Sequence, residues 1–205
     1  MKRLLLCSTL LIVAACQPGK EQPAAKTAEA PAPFDTVVFE TSRGRIVMEL
    51  NREKAPVSVA NFERHVKSGF YNGLIFHRIA PGFVIQAGRV TQNMDERTTS
   101  AAPIISEAEN GLKNLRGTVA MARTDFPNSA TSEFFINLKD NAKLDFTAPT
   151  YEGFGYAVFG RVIEGMDVVD RIAATKPIRR GKYSEFPSEP TVIRRAHMRG
   201  APPPP

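Results

Sequence analysis

Two short segments of this 205-residue chain carry polar side chains inside runs that are otherwise apolar. The first reads Phe76-His77-Arg78-Ile79-Ala80-Pro81-Gly82-Phe83-Val84-Ile85-Gln86, two apolar strands joined at Pro-Gly. Each carries a side chain that an interior strand should not carry, Arg78 in one and Gln86 in the other. A three-residue turn at Pro81–Phe83 would set residues 78 and 86 directly opposite on one face, where they would touch. A two-residue turn would instead pair Arg78 with Ile85, and both registers are open. The second segment runs from Gly117-Thr-Val-Ala-Met-Ala-Arg123 to Asn128-Ser-Ala-Thr-Ser-Glu-Phe-Phe-Ile136. Period-2 alternation puts Glu133 and Phe135 on one face of that strand, Phe134 and Ile136 on the other. An Arg–Gln pair beside an apolar shelf suits an uncharged ligand that bears a carbonyl. The same residues also fit a buried arginine satisfied by its neighbours.

Other chemistries lack their residues. His77 has no Ser-centred elbow near it, so no nucleophilic triad assembles, and Gly-rich phosphate loops are missing. The two cysteines, Cys7 and Cys16, both lie in the first sixteen residues, which leaves the rest without a disulfide or a thiolate metal site. His65, His77 and His197 stand apart, without ligand spacing, so neither a metal nor any other cofactor is expected. The net charge is +6, and removal of a segment holding Lys2 and Arg3 leaves 25 basic against 21 acidic residues. That excess is scattered, with Arg179-Arg180 and Arg194-Arg195 as its short clusters. A nucleic-acid binder would concentrate it on one face among aromatics, so nucleic acid is not an expected partner.

The elements that must position these residues follow from pattern. Asp35–Thr41 and Arg45–Leu50 flank Ser42-Arg43-Gly44 as a hairpin. Pro56 suits a helix first turn, and Val59, Phe62 and Val66 recur at helical spacing before Gly69. Strands are predicted at Leu74–Ala80, Val84–Gly88, Thr118–Ala122, Phe134–Asn137, Tyr156–Val162 and Thr191–Met198, with a second helix near Gly165–Ala173. Seven or eight short strands and two helices indicate an antiparallel barrel or sandwich, in a mainly β domain over residues 34–199.

Residues 1–15 read as an export signal: Lys2 and Arg3 open it, and Leu4–Ala15 is apolar but too short to span a bilayer, which takes roughly 20 residues. Val13-Ala14-Ala15-Cys16 resembles the lipobox of bacterial lipoproteins, in which the cysteine is acylated and the signal is cut before it. An ordinary signal with a cysteine near its cleavage site is the alternative. Gln17 after the cysteine suggests, by resemblance to enterobacterial sorting, the outer membrane. Residues 16–33, rich in Pro, Ala and charge, are expected to be a lipidated, disordered tether. It would hold the domain on the order of 20–25 Å from the membrane. Residues 200–205 end in a short polyproline tail.

The FHRI-PGF-Q segment, the AMAR…SEFFI segment and Tyr156-Ala-Val-Phe-Gly-Arg-Val162 are similar, in order and spacing from about Val37 to Arg171, to cyclophilin-type prolyl isomerases, especially the bacterial periplasmic branch. The resemblance implies an eight-stranded antiparallel closed barrel capped by two helices, with a site in a groove on its outer wall, and favours the three-residue turn. By position it makes Arg78 the catalytic arginine and Gln86 its orienting partner. Phe83, Val84, Phe135 and Leu144 become walls of the proline pocket, and Ala122 and Arg123 the place where backbone preceding the proline binds. His77 matches a histidine that is more plausibly structural.

Three positions depart from the family pattern. Glu133 stands where many members have glutamine, which is expected to put a carboxylate near Arg78 or Arg123. Lys143 replaces a tryptophan of the eukaryotic members, and Tyr156, another substrate-binding candidate with Glu133, replaces a histidine. The expected function is therefore peptidyl-prolyl cis-trans isomerisation in the folding of envelope proteins, by a lipid-anchored monomer on the periplasmic face. Its partners would be proline-containing polypeptides and the membrane. The alternative is a proline-recognising chaperone or binding module with little turnover, for which Arg78 would have no use.

Overall fold

Alternating apolar residues in Val37–Leu50 dictate a hairpin whose one face is dry, and the chain begins with it. The computed structural model describes residues 34–200. The export segment, Cys16, the tether through residue 33 and the proline tail from residue 201 lie outside the described residues. Strands β1 (Phe34–Thr41) and β2 (Gly44–Asn51) pair antiparallel around Ser42-Arg43, with Thr41 opposite Gly44. Helix α1 (Pro56–Lys67) starts on the proline and buries Val59, Phe62 and Val66. Its first amides are capped from far along the chain: Val57 N–H and Ser58 N–H donate to the two Glu107 oxygens at 2.9 and 2.8 Å.

The remaining strands are β3 (Leu74–Ala80), β4 (Val84–Thr91), β5 (Thr118–Met121), β6 (Phe134–Asn137), β7 (Val158–Glu164), β8 (Pro177–Arg180), β9 (Tyr183–Pro187) and β10 (Ile193–Met198), with α2 (Met166–Ala173) between β7 and β8. Eight of them form one antiparallel sheet in the order β10-β1-β2-β7-β5-β6-β4-β3. Its two ends approach each other. Gly73 N–H donates to Ile193 O at 2.8 Å and Phe76 N–H to Thr191 O at 3.2 Å, so the sheet curls into a nearly closed barrel.

Inside lie the inward faces of the strands and both helices, around Phe39, Phe62, Tyr71, Phe134 and Phe159. Phe62 meets Phe134 edge-on at 5.2 Å and Phe159 at 5.0 Å between centroids. The expected antiparallel eight-stranded barrel with two helices is what the chain forms.

The unforeseen element is the β8–β9 hairpin, a separate two-stranded sheet. It lies against β3 on the outside of the barrel, where Phe186 is fully buried with Ile75 and Val90. Its strands are four and five residues long, half exposed, and shifted in register between Ile178 and Arg180. Such a run offers no clean period of two.

Candidate functional site

The turn between β3 and β4 sets the register of the site. Ala80 accepts a hydrogen bond from Phe83 N–H at 3.0 Å, with Pro81 next and Gly82 at φ +66°. Proline at the second position and a left-handed glycine at the third suit a type II turn. Val84 therefore pairs with Ala80, Ile85 with Ile79 and Gln86 with Arg78. The register then shifts between Arg78 and Phe76, which faces Ala87, so His77 sits at a bulge. The bulge breaks strict alternation. Phe76 and Ile79 both point into the barrel core, while His77 and Arg78 both line a cleft outside it.

A shallow cleft of about 170 Å³ opens on the outer wall beside this turn. Phe83, Val84, Phe135, Leu144 and Tyr156 form its apolar walls, Ala122 and Arg123 one flank, and Arg78 and Gln86 another. Eight of the nine substrate-binding candidates and Arg78 thus meet here. Asn141 Nδ2 and Leu138 N–H both donate to Phe83 O, at 3.0 and 2.9 Å, and Tyr156 N–H donates to Leu144 O at 2.9 Å. These bonds fix two walls relative to each other. Phe135 meets Tyr156 edge-on at 5.5 Å, and the Arg123 guanidinium lies 4.7 Å from the Tyr156 centroid. Arg123 also donates from Nε to Gly155 O at 2.8 Å, so its charge braces the loop. Lys143 Nζ sits 4.9 Å from the Phe83 centroid, at the rim.

Glu133 shares a cleft with Arg78, but its carboxylate bonds other residues. It lines a second, polar cleft of about 260 Å³ that shares Arg78 and Gln86 with the first. Its carboxylate accepts from Gln86 Nε2 at 2.8 Å and Arg89 Nη1 at 3.4 Å, with His77 Nε2 at 3.3 Å. Neither Arg78 nor Arg123 is its partner. The reason is register: β4 pairs with β6 so that Gln86 faces Phe135 and Ala87 faces Phe134. That carries Glu133 along β4 to Gly88. A Cβ on Gly88 would come within 2.9 Å of Glu133 Cα, so only glycine admits this approach. Burial pushes the Glu133 carboxyl up, but the His77 hydrogen bond and charge, the Gln86 amide and Arg89 outweigh it and hold it below the ordinary range. His77 is buried, with Nε2 against Glu133 and Nδ1 without a hydrogen-bond partner among the described residues.

Arg78 and Gln86 are opposite, yet each side chain bonds elsewhere. Gln86 is held by Glu133, and Arg78 Nε donates to Glu185 Oε2 on β9 at 2.7 Å. Sequence reasoning missed Glu185, which reaches Arg78 from the hairpin it did not foresee. The available signal was Arg180-Gly181-Lys182, a turn with Gly181 at φ +57° between two short runs. Among the described residues no group of three or more His, Cys, Asp or Glu side chains is placed to hold a metal ion.

Residues 36–198 match the family described as Cyclophilin type peptidyl-prolyl cis-trans isomerase/CLD. The chain is 52% identical to peptidyl-prolyl cis-trans isomerase cyp18 of Streptomyces antibioticus, over 82% of this chain and 100% of that protein. It is 47% identical to peptidyl-prolyl cis-trans isomerase B of Escherichia coli (strain K12), over 77% of this chain and 95% of that one. A cyclophilin type isomerase from Cryptosporidium parvum, solved in the presence of the dipeptide ala-pro, superimposes with a TM-score of 0.68 at 25% identity, covering 81% of this chain and 99% of that chain. A barrel of this topology, similarity close to half over nearly whole relatives, and a family match across the entire barrel have one meaning: the chain belongs to the cyclophilin-type peptidyl-prolyl cis-trans isomerases.

Proposed function

We propose that this isomerase acts on X–Pro bonds of unfolded polypeptides in the bacterial cell envelope, with Arg78 as its catalytic group and Cys16 as its lipid anchor. Rotation about the bond must cross about 18–20 kcal/mol because twisting breaks amide resonance. Uncatalysed, it takes on the order of tens to hundreds of seconds. In the twisted state the prolyl nitrogen is pyramidal and regains its lone pair. A guanidinium that donates to that nitrogen stabilises the twisted state selectively, because the planar amide has no such acceptor. Arginine suits the task, being always charged and directional. No covalent bond to the enzyme forms and no proton moves.

The observation that carries this reading is a guanidinium at the border of a cleft walled by Phe83, Val84, Phe135 and Leu144, with no hydrogen bond from either of its NH2 groups among the described residues. The cleft would hold the proline ring between Phe83, Val84, Phe135 and Leu144 while the preceding carbonyl rotates. The polypeptide before the proline would run past Ala122 and Arg123. The similar Cryptosporidium parvum structure in the presence of ala-pro supports a proline ligand here.

A protease-coupled assay on an Ala-Pro peptide tests the assignment. Arg78→Ala should lower the rate at least about tenfold, a loss of about 1.4 kcal/mol of transition-state stabilisation, with circular dichroism unchanged. Near-native turnover in a folded Arg78→Ala protein would sink the mechanism.

A further inference from the structure

We infer that Glu185 is a positioning residue for Arg78, an inference that rests on the reading of Arg78 as the catalytic group. An arginine side chain has several rotatable bonds, and one that must meet a transient lone pair needs its plane fixed in advance. Among the described residues, the 2.7 Å bond from Nε to Glu185 Oε2 is the hydrogen bond the Arg78 guanidinium makes. It occupies the Nε–H and leaves both NH2 groups to donate. Gln86, opposite on β4, makes no hydrogen bond to Arg78 among the described residues, and its amide nitrogen donates to Glu133 instead.

Glu185 comes from a braced element. Next to it Phe186 is fully buried against Ile75 and Val90. Tyr183 donates its hydroxyl to Glu96 at 2.7 Å, and Lys182 pairs with the same carboxylate. The carboxylate is thus carried to the guanidinium by a hairpin pinned at both its apolar and its polar side. Stability is a poor explanation for the pair. Both side chains are more than a third exposed, and an ion pair at that exposure contributes little to folding. Its place between the two clefts points to orientation instead.

The full chain is assayed as Glu185→Ala and Glu185→Gln, each with and without Arg78→Ala. Glu185→Ala should lower kcat about fivefold or more with KM within about twofold, the pattern of an interaction that serves the transition state. Glu185→Gln keeps an acceptor oxygen and should restore kcat to within about twofold of the parent. In the Arg78→Ala background Glu185→Ala should cause no further loss, which a general weakening of the fold would not spare. A slow Arg78→Ala beside an unimpaired or faster Glu185→Ala overturns the positioning role alone. So does a Glu185→Ala loss that persists undiminished without Arg78, or one confined to KM. Near-native turnover of Arg78→Ala overturns the catalytic reading and this inference with it.

Discussion

At the rim of the outer-wall cleft, Lys143 holds its ammonium 4.9 Å from the Phe83 centroid, at a position where, by the resemblance, eukaryotic cyclophilins have a tryptophan that helps grip cyclosporin. A tryptophan presents a broad apolar face and one N–H donor, whereas a lysine presents a flexible stem and a hydrated charge. The walls of the cleft are otherwise Phe83, Val84, Phe135, Leu144 and Tyr156, so turnover should survive a change at residue 143. Cyclosporin binding does: loss of one aromatic anchor should cost on the order of 2 kcal/mol, about thirtyfold in affinity. Titration against the parent and Lys143→Trp should show the variant binding about thirtyfold more tightly with similar turnover. Equal, tight inhibition of both would mean that the remaining walls supply the contact. The position was legible in the sequence. The stacking of the lysine on Phe83 was not, because it depends on how the 3-10 turn at Ala142–Leu144 approaches the β3–β4 turn.

At the scale of the element, the β8–β9 hairpin is tied to the barrel through Glu96 as well as by Glu185 and Phe186. Glu96 accepts from Lys182, Tyr183 and Arg89, and these partners hold its carboxyl down at about 2 against an ordinary 4.5. Burial and the neighbouring Glu96 carboxylate in turn push the Tyr183 hydroxyl up to about 12. A carboxyl whose folded value is depressed contributes stability that is present above its unfolded value and is lost as pH falls through the folded one. The loss from Glu96 therefore falls between about pH 4.5 and pH 2. Thermal midpoints measured from pH 5 to pH 2 should fall more steeply for the parent than for Glu96→Gln, which has no proton to take up. Parallel curves would remove Glu96 as the acid-sensitive tie. The barrel strands could be read from their apolar runs because most of their residues are buried. The hairpin could not, since its residues are half exposed and its register slips.

For the whole molecule, the residues that would decide its location lie before the barrel. The domain carries no apolar helix long enough to cross a membrane among its described residues. In the proposed reading attachment rests on Cys16, with several acyl chains holding stably where one would not. Metabolic labelling with a fatty acid should mark the parent and not Cys16→Ser, and the variant should move to the soluble fraction. An unlabelled, soluble mature parent would refute the anchor.

What the sequence by itself determined is what depends on neighbours along the chain. Apolar runs bounded by turn signals placed β1 to β7 and β10, helical spacing placed α1, and three motifs in order indicated the family before any contact was known. Tertiary structure alone decided what depends on registers between segments. The bulge at His77 turned two consecutive side chains outward, and the close approach at Gly88 set the Glu133 carboxylate against Gln86, Arg89 and His77 rather than Arg78 or Arg123. The partner of the candidate catalytic guanidinium lies 107 residues away in the chain, on a hairpin without a periodic signal. A side chain's direction along a strand follows from local period, but its partner follows from which strands are packed together, and no local pattern encodes that.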